Sequence, residues 1–458
     1  MIAWPPERVA EAAGARLVQP PPAGVAGPAR ATVDSRDAGP GALFVGLRGE
    51  HVDGGRFAPQ ALAAGAWGTL TDPDSAEAAR CAAPGVLLAA DDPLAALQRL
   101  AREWRRELGA RTIGVTGSTG KTSTKDILAA LLAPHVATVA SPANLNTEIG
   151  LPLAILGAPA GTEALVLEMA MRGAGQIAEL TAIAEPDAGV VVNVGPVHLE
   201  VLGSLEAVAA AKAELLRDLR PGATAVVPAG EPLLHPHLRD DLDVVTFGEG
   251  GDVRLADAEG ERVTIDARGE RIELELSYAQ AHNRLNTLAA VAAALAIGVR
   301  PAGRVEVAFS AGRGDRVDLP NGVAVIDDCY NANPMSMRAA LEELAVTASG
   351  RRVAVLGDML ELGPDEARFH REIGTHAAEH GVDLLVTVGP RAAAMLDAYD
   401  GEGHAVADAG EAAALLPELV EPGDTVLVKA SRGVGLEVVA QALAEHAGEA
   451  GGDAGGFA

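Results

Sequence analysis

The chain has 458 residues, enough for about three domains of ordinary size. Its 63 acidic residues outweigh 36 basic ones, and a formal net charge of −27 excludes nucleic acid or an anionic membrane as a partner, since both need clustered basic surface. Two cysteines, Cys81 and Cys329, exclude a disulfide framework and suit a reducing compartment. With no signal-peptide pattern over 1–14 and no apolar run near the roughly 18 residues that cross a bilayer, the expectation is a cytoplasmic protein without membrane insertion.

Hydrophobic residues make up 48% of the chain and aromatics only 3%, so the cores must be built from Ala, Val, Leu and Ile. The basic residues are lopsided. Lysine occurs only at Lys121, Lys125, Lys212 and Lys429, and the other 32 are arginine. Four retained lysines point to tasks that a guanidinium cannot perform.

Residues 1–110 read as a small α/β domain. Pro20-Pro21-Pro22 is a stiff loop, Gly41–Val45 and Val86–Ala90 are apolar strands, and Ala58–Ala66 is helical, ending at Gly68 before Thr69-Leu70-Thr71. Pro93–Leu108 places Leu94, Leu97, Leu100, Trp104 and Leu108 at helical spacing, with Gly109 as its stop.

Residues 111–310 form a second domain of alternating strands and helices. Thr112–Thr116 is a strand and about 122–132 a helix. The strand Ala164–Leu167 ends at Glu168, and Gly189–Val194 has the apolar run of a strand buried on both faces. Ser204 caps a helix running to about Leu219, 226–269 reads as a strand-rich excursion, and His282–Gly298 is a long Ala-rich helix.

Residues 311–446 restart the alternation, with short strands at Val323–Ile326, Val353–Leu356, Leu384–Val388 and Thr425–Val428. This is the pattern of a second open parallel sheet. Residues 447–458, rich in Gly, Ala and Asp, read as a disordered tail.

Between the strand at 112–116 and its helix lies Gly114-Val-Thr-Gly-Ser-Thr-Gly-Lys121-Thr122, the context of a phosphate loop. Amides of Gly117, Ser118, Thr119, Gly120 and the helix start at Thr122 and Ser123 can cradle phosphate, Lys121 can reach it as a compact charge, and the Thr122 hydroxyl can ligate Mg²⁺. Val115 stands where the strict motif has glycine. Lys125, one turn on, reads as an ordinary helix residue. A phosphate loop alone does not separate ligase, kinase and switch.

Glu168 and His198 follow strands whose carboxyl ends should lie at the same sheet edge, where a carboxylate and an imidazole suit a divalent metal. Taken singly, each also fits a solvated strand end or a loop histidine. Lys212, among alanines on the following helix, is either a snorkelling surface residue or a retained amine. A neutral amine takes up carbon dioxide as a carbamate, an anionic ligand that arginine cannot form.

These residues resemble the Mur ligases, ATP-dependent amide-forming enzymes of peptidoglycan precursor synthesis, and within them the type that adds D-alanyl-D-alanine. The resemblance runs in order over about residues 30–443. It takes in Asp34-Ser35-Arg36, Gly117–Ser123, Asn144-Leu-Asn-Thr-Glu-Ile-Gly-Leu-Pro152, Glu168-Met-Ala-Met-Arg172, His198, Lys212 and His282-Asn283. It continues through Asp327-Asp328-Cys-Tyr-Asn-Ala-Asn-Pro334, Gly357-Asp-Met-Leu-Glu-Leu-Gly363 and Val428-Lys-Ala-Ser-Arg432. Thr147 and Ala430 depart from it, standing where the family usually has Asn and Gly.

The resemblance implies an N-terminal UDP-binding domain, a central P-loop ATPase domain and a C-terminal Rossmann-like domain. It implies ATP and two Mg²⁺ as cofactors, and UDP-N-acetylmuramoyl tripeptide with D-alanyl-D-alanine as substrates; a monomer is the expectation. By it, Lys121, Glu168, His198 and Lys212 are catalytic. Thr122, Glu168, His198 and carbamylated Lys212 hold metal, and Asn283, Arg313 and Asp328 contact the adenine nucleotide. Substrate contacts fall on Ser35, Arg36, Asn144, Asn146, Arg172, Tyr330, Asn331, Asn333, Lys429, Ser431 and Arg432. From the residues alone, Asp328 also fits an Asx-turn, Asn331 and Asn333 turn formers before Pro334, and Lys429 and Arg432 a solvated loop. Two rival readings stand beside this one: a related ligase adding glutamate or a diamino acid, and a P-loop switch that makes no bond.

Overall fold

Aliphatic runs with no polar face can only be buried on both sides, and most such runs here become inner strands of largely parallel sheets, while Gly150–Gly157 becomes a buried helix. The computed structural model describes residues 4–20, 27–80, 82–142 and 144–451. Pro21, Pro22 and Cys81 lie outside the described residues. In the first sheet, Ala42–Val45, Gly68–Thr71 and Val86–Ala89 are buried at every position and pair in parallel. Arg30–Thr32 and the antiparallel Arg16–Gln19 form its edges.

The helix Pro93–Leu108 starts where the Asp92 carboxylate accepts from the Ala95 amide, and stops at Gly109 with φ +62°. Leu97, Leu100 and Trp104 are buried. Trp104 meets the Trp4 ring edge-on at 5.3 Å and donates its indole N–H to the Ala158 carbonyl at 3.2 Å. One helix thereby fastens the first sheet to the second.

The second sheet has ten strands. Arg111–Thr116 lies between Ala164–Glu168 and Ala188–Val191 in parallel register, so all three carboxyl ends share one edge. Three expectations change here. The segment 226–269 is no excursion: the strands Thr224–Pro228, Asp243–Phe247, Val253–Glu259, Arg262–Ala267 and Glu270–Leu276 continue the same sheet, because each leaves a paired edge for the next. The expected helix from Ser204 to Leu219 is divided into Leu205–Lys212 and Glu214–Arg217 at Ala213, whose ψ is −8°. Ser204 does cap it, accepting from the Ala207 amide. The strand expected at 189–194 ends at Val191, which releases Asn193.

The third sheet contains five parallel strands, ordered Ala324–Asp327, Thr425–Lys429, Arg352–Gly357, Leu384–Val388 and Glu402–Val406. Asp315–Asp318 runs antiparallel at its edge. The helix Glu437–Gly451 occupies the first part of the expected tail, and 452–458 lie outside the described residues. Among the described residues no helix is long and apolar enough to cross a membrane.

Asn333 is the N-cap of the helix Pro334–Thr347. Its side-chain oxygen accepts from the Ser336 amide, and Ser336 Oγ accepts in return from the Asn333 amide. This reciprocal box commits Asn333 to the fold, where the resemblance gives it to substrate. Asn333→Ala is expected to cost about 1 kcal/mol of stability, read as a lower urea midpoint with nucleotide affinity unchanged.

Candidate functional site

The carboxyl ends of the central strands meet the carboxyl ends of the third sheet across a cavity of about 1010 Å³. Gly120 turns the chain into the helix Lys121–Leu132 with φ +75°, and a Cβ there would lie 2.7 Å from Asn286 Oδ1. Both constraints require glycine. Lys121 Nζ donates to the Gly117 carbonyl at 2.9 Å, folding back over the loop. The amides of Ser118 and Thr119 donate to Asn193 Oδ1 at 3.1 and 3.0 Å, and Asn193 Nδ2 donates to the Thr119 carbonyl. The amides of Gly120, Lys121, Thr122 and Ser123 have no acceptor among the described residues. Four such donors at a helix start form an anion cradle.

The Thr122 hydroxyl donates to Glu168 Oε2 at 2.8 Å and accepts from Arg313 Nη2 at 3.0 Å. Asn146 Nδ2 donates to the other Glu168 oxygen at 2.9 Å. Glu168 is buried, yet it stays bonded through both oxygens. Arg313 arrives from the start of the third sheet's segment, and its guanidinium lies 4.0 Å over the Tyr330 ring, with that of Arg432 at 5.4 Å from the same ring. A single tyrosine ring thus positions two cations at the cavity wall.

Lys212 ends the helix Leu205–Lys212, is 2% exposed, and has no hydrogen-bond partner among the described residues. Burial, then the Lys121 ammonium nearby, hold its amine well below the usual lysine range. Burial also lowers Lys121, opposed by the Glu168 carboxylate.

His198 takes a left-handed backbone, φ +53°, and so does Glu361 at φ +63°. The Glu361 carboxylate is in close contact with His198 Nδ1, the Glu361 carbonyl accepts from the Glu200 amide at 3.2 Å, and Arg172 Nε lies 4.0 Å from the other Glu361 oxygen. Burial lowers the His198 pKa more than Glu361 raises it, leaving a neutral ring. Its Nδ1–H then donates to Glu361, and its Nε2 keeps a lone pair with no donor among the described residues.

Asp328 accepts from Lys429 Nζ at 2.6 Å, and Lys429 also donates to the Asn331 carbonyl at 3.0 Å. The Asx-turn considered for Asp328 belongs instead to Asp327, which accepts from the Cys329 amide. Ser431 Oγ accepts from the Leu360 amide and donates to the Ala332 carbonyl. Lys429 is therefore a buried clasp of the loop 328–333, not a solvated residue.

The cavity gathers residues 117–123, Asn146, Glu168, Arg172, His198, Lys212, Asn283, Arg313, Asp328, Tyr330, Asn331, Asn333, Lys429, Ser431 and Arg432. Asn144 is exposed and outside it. Ser35 and Arg36 lie apart, on the turn after Arg30–Thr32. There the Arg36 guanidinium holds the Asp34 carboxyl down to about 2. Lys125 departs from expectation. It is buried, donates to the Ser141 carbonyl at 3.0 Å and pairs with Asp126 at the same distance. Asp126 accepts from the Ser310 amide and hydroxyl, anchoring the segment that delivers Arg313.

Sequence reasoning missed Asn193, Asn286, His282 and any task for Glu361. All four line the cavity, and Asn286 donates to Asn283 Oδ1 at 3.2 Å. For Glu361 the available signal was its place in Gly357–Gly363. Asn193 was the one polar residue in an apolar strand.

A phosphate loop on one α/β sheet, walled by arginines and a clasped loop from a second sheet, defines a P-loop enzyme that acts between domains. Residues 115–294 match the Mur ligase middle domain, 312–432 the Mur ligase glutamate ligase domain, and 30–105 the Mur ligase family catalytic domain. The chain belongs to the Mur ligase family. It is 38% identical over 423 residues to the UDP-N-acetylmuramoyl-tripeptide–D-alanyl-D-alanine ligase of Synechocystis sp., covering 90% of this chain and 91% of that one. It superposes on a crystal structure of MurF from Acinetobacter baumannii with a TM-score of 0.86 at 29% identity, covering 96% and 99% of the two chains. MurF ligase from Thermotoga maritima in complex with ADP gives a TM-score of 0.80 at 31% identity, covering 92% and 98%.

Proposed function

We propose that this chain joins D-alanyl-D-alanine to a UDP-N-acetylmuramoyl tripeptide at the expense of ATP, releasing ADP and phosphate in the cytoplasm and working as a monomer. The observation that carries this reading is the cavity itself. An anion cradle, the Thr122–Glu168 pair and a buried unpartnered lysine lie on one wall, with the cationic Arg313–Tyr330–Arg432 stack on the other.

Amide formation from a free carboxylate needs an activated acyl group. The tripeptide carboxylate attacks the γ-phosphate, an acyl phosphate forms as ADP leaves, and the dipeptide amine displaces phosphate. Positioning and charge neutralisation carry such a transfer. The amides of Gly120–Ser123 and the Lys121 ammonium hold the β- and γ-phosphates, Arg313 offsets their charge, and Asn283 and Asp328 meet the adenosine. The C-terminal wall, with Tyr330, Asn331 and Arg432, receives the dipeptide. The first sheet, with Ser35 and Arg36 outside the cavity, holds the UDP end.

The donor set fits Mg²⁺. Thr122 and Glu168 offer hard oxygens 2.8 Å apart, and His198 keeps an open nitrogen. Lys212 fits only as its carbamate, which its desolvated, unpartnered amine favours. Mg²⁺ held by these residues would neutralise the phosphate oxygens and the incoming carboxylate.

The division into 1–110, 111–310 and 311–446 assigns one substrate to each domain, with closure bringing the amine to the acyl phosphate. The test is phosphate release from ATP in the presence of both other substrates. Release requiring both is expected. Nucleotide binding with no dipeptide-dependent turnover would favour the switch and overturn the ligase.

A further inference from the structure

On two neighbouring helices of the C-terminal domain lies a cluster whose members do not themselves line the nucleotide cavity, although Glu343, next to one of them, does. The side chains of Glu342, His376 and His380 bring one possible ligand atom each to within 4.8 Å of one another. His376 and His380 stand one turn apart at the end of the helix Glu366–Glu379, with ring centroids 4.0 Å apart. Glu342 faces them from the neighbouring helix Pro334–Thr347.

We propose that Glu342, His376 and His380 form a binding site for a zinc-class divalent transition metal that fastens these two helices together.

Four details carry it. Glu342 Oε1 lies 3.4 Å from His376 Nε2. Two donors on a tetrahedral ion with arms of about 2.0–2.1 Å stand about 3.3–3.4 Å apart, so this pair already has the spacing of one tetrahedral edge. His376 Nε2 is buried with no hydrogen-bond partner, a cost that a metal bond removes. His380 Nδ1 is bonded to the His376 carbonyl at 2.9 Å, which fixes the proton on Nδ1 and leaves Nε2 as a lone pair. Glu379 Oε2 lies 3.9 Å from His376 Nδ1, within ion-pair range but too long for a hydrogen bond. Metal-bound imidazoles are typically held from behind by a backbone carbonyl or a carboxylate, as the His376 carbonyl holds His380.

Two histidines one turn apart with a carboxylate from a second helix is a donor set for zinc, cobalt or nickel and a poor one for magnesium, which demands oxygen. Three protein ligands leave a fourth position for water. The helix Pro334–Thr347 begins at the Asn333 cap, and Met335 and Ser336 line the cavity. Glu343 and Thr347, in its far half, line the cavity too, so a metal on Glu342 would stiffen that wall without ligating a residue assigned to the reaction.

The experiment uses the full chain without an affinity tag, titrated with Co²⁺ and followed by its visible ligand-field absorption, with competition by Zn²⁺ and by millimolar Mg²⁺. One tetrahedral Co²⁺ per chain is expected, displaced by Zn²⁺ and untouched by Mg²⁺. His380→Gln and Glu342→Gln, both on partly exposed side chains, should each weaken binding at least tenfold while preserving ligase turnover in Mg²⁺. His198→Ala should leave the Co²⁺ signal unchanged. Absence of a tetrahedral signal, or a signal that survives both glutamine variants, overturns the site. Loss of the signal in His198→Ala alone does so too, by placing the ion in the nucleotide cavity.

Discussion

Lys212→Ala should lower turnover at least about a hundredfold, the scale of removing one preorganised charge from an active site. Added short carboxylic acids should return part of it. The expectation follows from where the amine sits. It is 2% exposed, without a partner among the described residues, beside a second ammonium at Lys121. Burial and that like charge both favour the neutral amine, which is the form whose nitrogen attacks carbon dioxide, releasing a proton as the carbamate forms. Carbamylation also reverses the sign of the interaction with Lys121, from repulsion between ammonium groups to attraction. A cavity made by truncation to alanine has room for a small carboxylate to stand in for the lost anion. Lys212→Arg supplies length and positive charge but no carbamate, because guanidinium does not shed its proton, and it should remain inactive. Full activity in Lys212→Arg would refute the carbamate.

The phosphate loop, the apolar strands that flank it and the Ser204 cap were readable because each is local: a glycine turn, an apolar run, a cap residue three positions from its amide. What was not readable lies across long separations. Lys125 looks like any helix residue until Asp126 is seen to hold Ser310 in the following segment. The strands between Thr224 and Leu276 looked like an insertion because alternation reports a half-buried strand but not which edge it joins. Asn333 sits in a run that signals a binding site, yet its oxygen caps a helix, and residue type alone does not separate the two tasks. The retained lysines did carry information. Lys125, Lys212 and Lys429 are each 2% exposed; Lys125 donates to the Ser141 carbonyl and Lys429 to Asp328, while Lys212 is left without a partner among the described residues.

Glu361 shows most plainly what only the fold supplies, since it lies 163 residues from His198 and on another sheet. Its carboxylate accepts from His198 Nδ1 and so directs the lone pair of Nε2 away from itself. Both residues hold left-handed backbones, a conformation that costs an ordinary side chain on the order of 1 kcal/mol or more and persists only where the surroundings impose it. The pair also joins the third sheet to the second, with the Glu361 carbonyl accepting from the Glu200 amide. The contact that orients the histidine is therefore also one that joins the two sheets.

Glu361→Gln keeps the side-chain length and an oxygen acceptor but removes the charge. Glu361→Ala removes both. Outer partners of a ligating histidine typically contribute 10–100-fold in metal affinity or activity. Turnover should fall by about that range in Glu361→Ala and less in Glu361→Gln, with the Mg²⁺ concentration for half-maximal rate raised in the same order and the KM for ATP little changed. A second measurement separates orientation from folding: distance between labels on the central and third sheets, read with nucleotide present, should lengthen in Glu361→Ala. Glu361→Asn tolerates the left-handed backbone but is too short to reach the ring, so it should behave like alanine if the carboxylate matters and like the parent if only the backbone does. Unchanged Mg²⁺ dependence in both Glu361→Ala and Glu361→Asn would remove Glu361 from the site and leave His198 to be positioned by its own loop.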